Sequence, residues 1–250
     1  MKELTLLTVS FKTPEYIKYL IRSCEKFKPS DLTIKYLVVE NSSLDYYNEL
    51  KDLAENISLV FNPTKETGSE ANASGLEFGK RYITTDHVFV CHSDVLVTSS
   101  AFFQSLNNKI KSGFKIIGVS RDHARIKALH VSGIFLPHAL FAQINTYPQY
   151  DAKGRQLMDV GDSITDYARK NHIKHCSFLN TKDGGIENEN LPAPYNTWGA
   201  DCGIDRAVDE NNNVVFIHLA RGTPKSLGIY HKPGKVYFKE WLSLCEDLLN

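Results

Sequence analysis

Short apolar runs, each ending on polar residues, punctuate the first hundred positions. Leu4 to Phe11 (LTLLTVSF) is almost continuously apolar and β-branched, the pattern of a central strand covered on both faces, and Ser10 stands at its end. Thr13 and Pro14 then predict a helix: a hydroxyl N-cap, proline at the first helical position, and apolar Tyr16, Ile17, Leu20 and Ile21 at helical spacing. Ile34 to Val39 is a second strand, closing on Glu40, Asn41, Ser42 and Ser43. Asp45 to Leu53 reads as a helix, and Ile57 to Phe61 as a third strand that stops at Asn62 and Pro63. In Val88 to Val97 (VFVCHSDVLV), His92, Ser93 and Asp94 interrupt two apolar segments. The middle of a buried strand does not tolerate three polar groups, so they belong at a strand end, aimed into a cleft.

Repeated β-α units predict an α/β protein with a parallel sheet and right-handed crossovers. Ligands of such sheets bind at the carboxyl ends of the strands. Ser10, Glu40 to Ser42, Asn62, and His92 to Asp94 are therefore expected to converge on one edge. Between them, Gly68 to Ile83 (GSEANASGLEFGKRYI) predicts a helix whose small residues Gly68, Ala71, Ala73 and Gly75 allow close approach to the sheet and a ligand, with Asn72 facing the cleft. Neither GxxxxGK[ST] nor GxGxxG is present, which argues against an ordinary P-loop or dinucleotide fold.

The second half predicts a helix over Ala101 to Ile110 and a strand over Lys115 to Val119, followed by the basic residues Arg121, Arg125 and Lys127, usually a solvated face. His130 to Phe141 reads as a strand turned into a short helix by Pro137. Met158 to Asn171 is an amphipathic helix with Asp159 or Asp162 at its N-cap. Asn180 to Trp198, rich in Gly, Pro, Asn and Glu, is a long loop or lid. Ile204 to Val208 and Val214 to Leu219 form a hairpin that carries His218. No acidic residue occurs from Asn211 through Lys239, whereas Arg221, Lys225, Lys232, Lys235 and Lys239 are basic, a local excess suited to a diphosphate.

Composition narrows the partners. Lysine plus arginine and aspartate plus glutamate number 29 each, so no global field steers the chain to nucleic acid or an anionic membrane. The 250 residues suffice for one large domain. Five scattered cysteines, Cys24, Cys91, Cys176, Cys202 and Cys245, with no CxxC pair, fit a reducing compartment. No apolar stretch approaches the roughly 20 residues that span a bilayer, and Met1 leads into charge rather than an apolar leader. The expectation is a soluble, cytoplasmic protein. His172, His175 and Cys176 lack a nearby fourth zinc ligand and sit at a helix end, where histidines complement the dipole.

Taken in order, these segments resemble the GT-A glycosyltransferases of the family 2 type, over Leu4 to about Thr223. The matching segments are the opening strand Leu6 to Phe11, VVENSS at Val38 to Ser43, the stretch from Asn62 to Gly75, and His92-Ser93-Asp94 in place of a D-x-D motif after an apolar strand. The resemblance implies a GT-A fold with a mostly parallel central sheet flanked by helices. It implies one domain over residues 1–250: a nucleotide-sugar-binding half (1–100), an acceptor and catalytic half (101–223) and a basic C-terminal tail and helix (224–250). It implies metal-dependent transfer of a hexose, with inversion and Mn2+ or Mg2+, from a nucleotide-sugar donor, UDP-sugars first, to a hydroxyl of a carbohydrate or lipid-linked acceptor. Carried over by position, Ser10 and Glu40 touch the nucleobase and ribose. Asn41, Asn72, His92, Ser93, Asp94 and Arg221 complete the donor site, with Asp94 and His218 on the metal. Asp159 or Asp162 is the base that makes the acceptor hydroxyl a nucleophile. Ser132 and Gly133 are expected at the acceptor, and Trp198 either stacks on the acceptor sugar or anchors its loop.

Two positions depart from the family: His92 replaces the first aspartate of D-x-D, as a softer ligand, a ribose contact or no ligand at all, which leaves the metal's identity open, and Glu40 replaces the usual aspartate. The alternatives are a nucleotidyltransferase, which wants a Gly-rich basic signature after the first strand where SFKTPEY offers only Lys12, and a nucleotide-sugar-binding module without catalysis, in keeping with His92.

Overall fold

Strand β1 (Glu3–Ser10) is buried on both faces, Leu4, Leu6, Leu7 and Thr8 all being at most 2% exposed, and this places it inside the sheet. It pairs in parallel with β2 (Thr33–Glu40) on one side and β4 (His87–His92) on the other. Beyond β2 lies β3 (Ile57–Phe61), an edge strand with no fully buried residue. On the far side of β4 come β7 (Gly133–Pro137), β6 (Ile116–Gly118) and β10 (His175–Ser177), giving the order β10-β6-β7-β4-β1-β2-β3. Only β7 runs against the others, so the sheet is mostly parallel, as expected, with one antiparallel strand that the sequence pattern does not single out. This computed structural model describes residues 1–43, 45, 54–122, 124–181, 204–229 and 238–250. The expected helix after Asp45, most of the expected loop from Asn180 to Trp198 with Trp198 itself, and Cys202, Lys232 and Lys235 lie outside the described residues.

Helices cover the sheet. On one face, α1 (Pro14–Phe27) buries Ile17, Leu20, Ile21 and Cys24. Thr13 precedes it as expected, but its side chain makes no capping hydrogen bond; it turns to Ser10 instead. On the other face, α2 (Gly68–Gly79) packs almost backbone to side chain on β1: a Cβ at Gly75 would lie 2.5 Å from a Val9 methyl, and one at Gly79 2.7 Å from Leu7. Small residues are therefore required by the sheet, and the helix gives way to a 3-10 turn (Lys80–Tyr82) before the expected end at Ile83.

A second sheet, absent from the sequence reading, consists of β11 (Leu179–Asn180), β12 (Asp205–Val208), β13 (Val214–His218) and β5 (Val95–Val97) in that order. The expected hairpin is its centre, with Asp205 opposite His218, and β13 in turn pairs with β5. The chain thus leaves the first sheet at His92 and enters the second at Val95, so Ser93 and Asp94 are the crossing. Helix α3 (Ala101–Lys111) follows β5, and the C-terminal helix α7 (Phe238–Leu249) seals the second sheet with Trp241, Leu244 and Cys245 against Tyr16, Tyr19, Leu96 and Ile217. Helix α4 (His138–Phe141) and the hairpin β8 (Gln149–Tyr150) with β9 (Gln156–Met158) lead to α5 (Asp162–Lys170). Neither aspartate caps α5: Gly161, at φ +78°, is the N-cap, and Asp162 is the first helical residue. The short α6 (Gly222–Ser226) completes the chain order before α7. Among the described residues no helix is long and apolar enough to cross a membrane.

Candidate active site

The register brings the polar strand ends into line. Ser10 pairs with Glu40 across β1 and β2, Val9 with His92 across β1 and β4, and Glu40 with Phe61, the residue before Asn62, across β2 and β3. Two centres form on this edge.

The first is an open cavity of about 580 Å³ lined by Phe11, Lys12, Asn41, Ser42, Pro63 and Thr64, among others. Asn41, assigned to the donor by resemblance, lines it, and Glu40 and Ser10 lie buried at the strand ends beside it. Glu40 is fully buried, and its Oε1 accepts hydrogen bonds from the backbone N–H of Lys12 (3.2 Å) and Ser42 (2.8 Å) and from the Ser42 hydroxyl. These bonds tie the ends of β1 and β2 together. The Asn41 amide donates to the carbonyl of Ala71 at 2.7 Å and accepts from Asn62 at 3.0 Å, fastening α2 to the strand ends. Ser10 Oγ lies 2.6 Å from Thr13 Oγ1, which donates to Ser93 Oγ at 3.4 Å, so buried hydroxyls join the end of β1 to the turn after β4. Asn72 is half-buried on α2.

The second centre lies at that turn. Asp94 is 4% exposed. Its Oδ2 accepts the backbone N–H of Gly222 at 2.9 Å, and its Oδ1 lies 3.4 Å from His218 Nε2. Position 222 has to be glycine, because a Cβ there would come within 2.6 Å of the Asp94 Cβ. His218, on β13, places Nδ1 3.0 Å from Asp205 Oδ2 across the hairpin and Nε2 3.2 Å from His92 Nδ1. The rings of His92 and His218 are 5.1 Å apart, and that of His130 lies 5.5 and 5.7 Å from them. The backbone N–H of Ser132 donates to His130 Nδ1 at 3.2 Å, which leaves the proton of the neutral ring on Nε2.

Electrostatics lock this cluster. Burial alone would lower the His218 imidazole, yet the Asp94 and Asp205 carboxylates raise it to about 9. Burial alone would raise the Asp94 carboxyl, yet the charge and hydrogen bond of His218, with the charge of His92, hold it at about 2. A proton on His218 Nε2 therefore sits among the groups that would otherwise converge on a cation. Those groups fit one: ligand atoms of His92, Asp94 and His218 all lie within 4.8 Å of one another, and two imidazoles with one carboxylate suit a divalent ion.

A third group lies at the start of α5. Arg125 Nε contacts Asp162 Oδ2 at 3.1 Å, and its Nη2 lies 3.4 Å from both Asp159 and Asp122. This arginine is thus bound by carboxylates and is not merely part of a solvated basic face. The two candidate bases are unequal: the Asp162 side chain is 5% exposed and that of Asp159 30%. Burial raises the Asp162 carboxyl, and the net shift stays upward despite the Asp159 backbone N–H and the Arg125 guanidinium. Ser132 and Gly133, expected at the acceptor, are fully buried. Ser132 Oγ faces Ser120 Oγ at 3.3 Å, and a Cβ at Gly133 would strike Val119 and Phe89, so both serve the wall beneath His130. Arg221 is exposed and stands in the left-handed region (φ +54°) just before Gly222.

Two members of the cluster escaped the sequence reading. Asp205 had a partial signal: the expected hairpin brings it near His218, and the register shift at Ala207/Val208 makes the two direct partners. His130 had none, because only tertiary packing brings its ring to the other two.

No family model matches the chain, and no curated protein matches it. Among solved structures it is similar to the mannosyltransferase PcManGT from Pyrobaculum calidifontis, in complex with GDP-Man and Mn2+, at 16% identity and a TM-score of 0.47, over 78% of this chain and 59% of that one. It is also similar to glucosyl-3-phosphoglycerate synthase from Mycobacterium tuberculosis, in complex with Mg2+ and uridine-diphosphate (12%, 0.47, 70% and 68%). A third is S. aureus TarS 1-349 (12%, 0.45, 59% and 50%). The chain spans between half and about two thirds of the length of these proteins.

Proposed function

We propose that this chain is a GT-A-type glycosyltransferase that moves a sugar from a nucleoside-diphosphate donor to an acceptor hydroxyl. The observation that carries the reading is the pairing, on one carboxyl edge of the parallel strands, of an open polar cavity at the ends of β1 and β2 with the His92, Asp94 and His218 cluster at the end of β4. With β1 between them, β2 and β4 are separated by two strand spacings, about 10 Å, comparable with the reach from a nucleoside to its diphosphate. Ligands of such sheets bind at this edge.

In this reading the nucleoside lies against Phe11, Asn41 and Ser42, and Glu40 keeps the cavity in shape. His92, Asp94 and His218 hold a divalent cation, with Asp205 orienting His218 and Gly222 orienting Asp94. Bound there, the ion would neutralise charge on the leaving diphosphate. Arg221 adds charge at the rim. Asp162 or Asp159 takes the proton of the acceptor hydroxyl, held in place by Arg125, and direct attack by that oxygen inverts the anomeric carbon. The division into donor half, acceptor half and C-terminal tail, a carbohydrate or lipid-linked acceptor, a UDP-sugar as first donor to try, and a cytoplasmic setting belong to the same reading.

The test is a screen of UDP-, GDP- and TDP-sugars by thermal shift, since a bound donor stabilises by mass action, followed by product analysis with acceptors. Asp94→Asn is expected to abolish metal-dependent turnover while the protein still unfolds cooperatively; near-normal turnover in that variant refutes the assignment.

A further inference from the structure

We propose that the cluster of His92, Asp94 and His218 is a selective transition-metal site, which takes a borderline divalent ion such as Co2+ or Zn2+ far more tightly than Mg2+. The inference rests on the reading above only in treating the cluster as a cation site; it adds which ion the side chains choose.

The donor set decides it. Mg2+ demands oxygen ligands and dehydrates reluctantly, whereas imidazole suits Zn2+, Co2+, Fe2+ and Ni2+. Here two of the three protein donors are imidazole nitrogens, and the one carboxylate already has its Oδ2 engaged by the Gly222 N–H at 2.9 Å, leaving Oδ1 toward the histidines. The separations suit a small ion: Nδ1 of His92 lies 3.2 Å from Nε2 of His218, which lies 3.4 Å from Oδ1 of Asp94. For metal–ligand bonds of about 2.1 Å, neighbouring ligand atoms lie about 3.0 Å apart in an octahedron and about 3.4 Å apart in a tetrahedron. Two of the three separations match those edges, and all three ligand atoms lie within 4.8 Å of one another.

The surroundings fix the tautomer a metal needs. Asp205 Oδ2, 3.0 Å from His218 Nδ1, holds a proton on that nitrogen and leaves Nε2 as the ligand. His130 plays a different part. Its Nδ1 accepts from the Ser132 backbone, so the proton of the neutral ring is on Nε2 and that nitrogen has no lone pair free for an ion, which makes His130 a neighbour of the site and not a fourth ligand.

The experiment is a direct binding measurement on the full chain, stripped with a chelator and free of donor and acceptor. Co2+ is titrated and followed by its visible d–d absorption and by calorimetry; Zn2+ and Mn2+ are measured by competition, and Mg2+ by calorimetry. The expected order of affinity is Zn2+ above Co2+ above Mn2+, with Mg2+ at least a hundredfold weaker than Co2+. His92→Gln and His218→Gln should each weaken Co2+ at least tenfold and alter its spectrum, and Asp205→Asn should weaken it less. His92→Asp should narrow the Co2+ to Mg2+ ratio at least tenfold. His172→Ala and His175→Ala, on the distant edge strand side, should leave binding unchanged, and thermal unfolding of each variant confirms that it is folded. Equal affinity for Mg2+ and Co2+, or Co2+ binding that survives in both His92→Gln and His218→Gln, overturns the inference. Tight Co2+ binding by a protein that binds no nucleotide-sugar would instead refute the transferase reading and leave the metal site standing.

Discussion

His218 shows how a single side chain comes to depend on partners from two strands, β4 and β12, and from the crossing between the sheets. Its raised pKa makes the metal-free protein sensitive to alkali in a predictable sense. A histidine whose folded pKa is about 9 against an ordinary 6.5 contributes stability that is whole below pH 6.5 and lost as the pH rises through 9. Asp94, at about 2 against 3.8, contributes stability that is whole above pH 3.8 and lost as the pH falls through 2. In the presence of a chelator, the melting temperature of the wild type relative to His218→Gln should therefore be greatest between about pH 4 and 6.5 and should shrink toward pH 9.5. A difference that grows with alkali contradicts the ion-pair account. A second residue-scale prediction concerns Arg125, which pulls the Asp162 carboxyl down against the effect of burial. Arg125→Ala should move the acidic limb of the pH–rate profile to higher pH, because the base then needs a higher pH to lose its proton. An unmoved limb separates Arg125 from the base.

At the scale of elements, α2 approaches β1 closely. Gly75 and Gly79 face Val9 and Leu7 with no room for a side chain. Gly75→Leu overpacks this seam and should cost about 2–3 kcal/mol in urea unfolding, and Val9→Ala in the same chain should recover part of it. The seam also carries Asn41, whose amide reaches the Ala71 carbonyl, so a displaced α2 disturbs the cavity as well as stability. Sequence reading found α2 from its small residues and the strands from their apolar runs, because both patterns are local. The caps were harder. Thr13 and the Asp159/Asp162 pair have the composition of N-caps, but each found a stronger partner elsewhere: Ser10 and Ser93 for Thr13, Arg125 for the aspartates.

At the scale of the whole molecule, the cluster of His92, Asp94 and His218 belongs to two sheets at once. His92 ends a strand of the first, His218 and Asp205 face each other across a hairpin of the second, and Asp94 lies on the crossing. The C-terminal helix holds that second sheet in place through Trp241, 1% exposed, and α1 reaches the same spot through Tyr16, whose hydroxyl donates to the Gly222 carbonyl at 3.0 Å. Trp241→Ala should cost about 3–5 kcal/mol and weaken metal binding although the indole is no part of the site. Metal affinity that stays at the wild-type level in a folded Trp241→Ala protein shows the two to be uncoupled.

The local signals in the chain were enough for the α/β class, the parallel core of the main sheet and the polar strand ends, since strand burial and strand termini leave marks within a few residues. Tertiary structure alone decided that Val88 to Val97 divides between two sheets, that Glu40 shapes the cavity from within, and that His130 joins His92 and His218. Each of these depends on groups far apart in sequence, 38 residues from His92 to His130 and 126 from His92 to His218, and periodicity carries no information across such gaps.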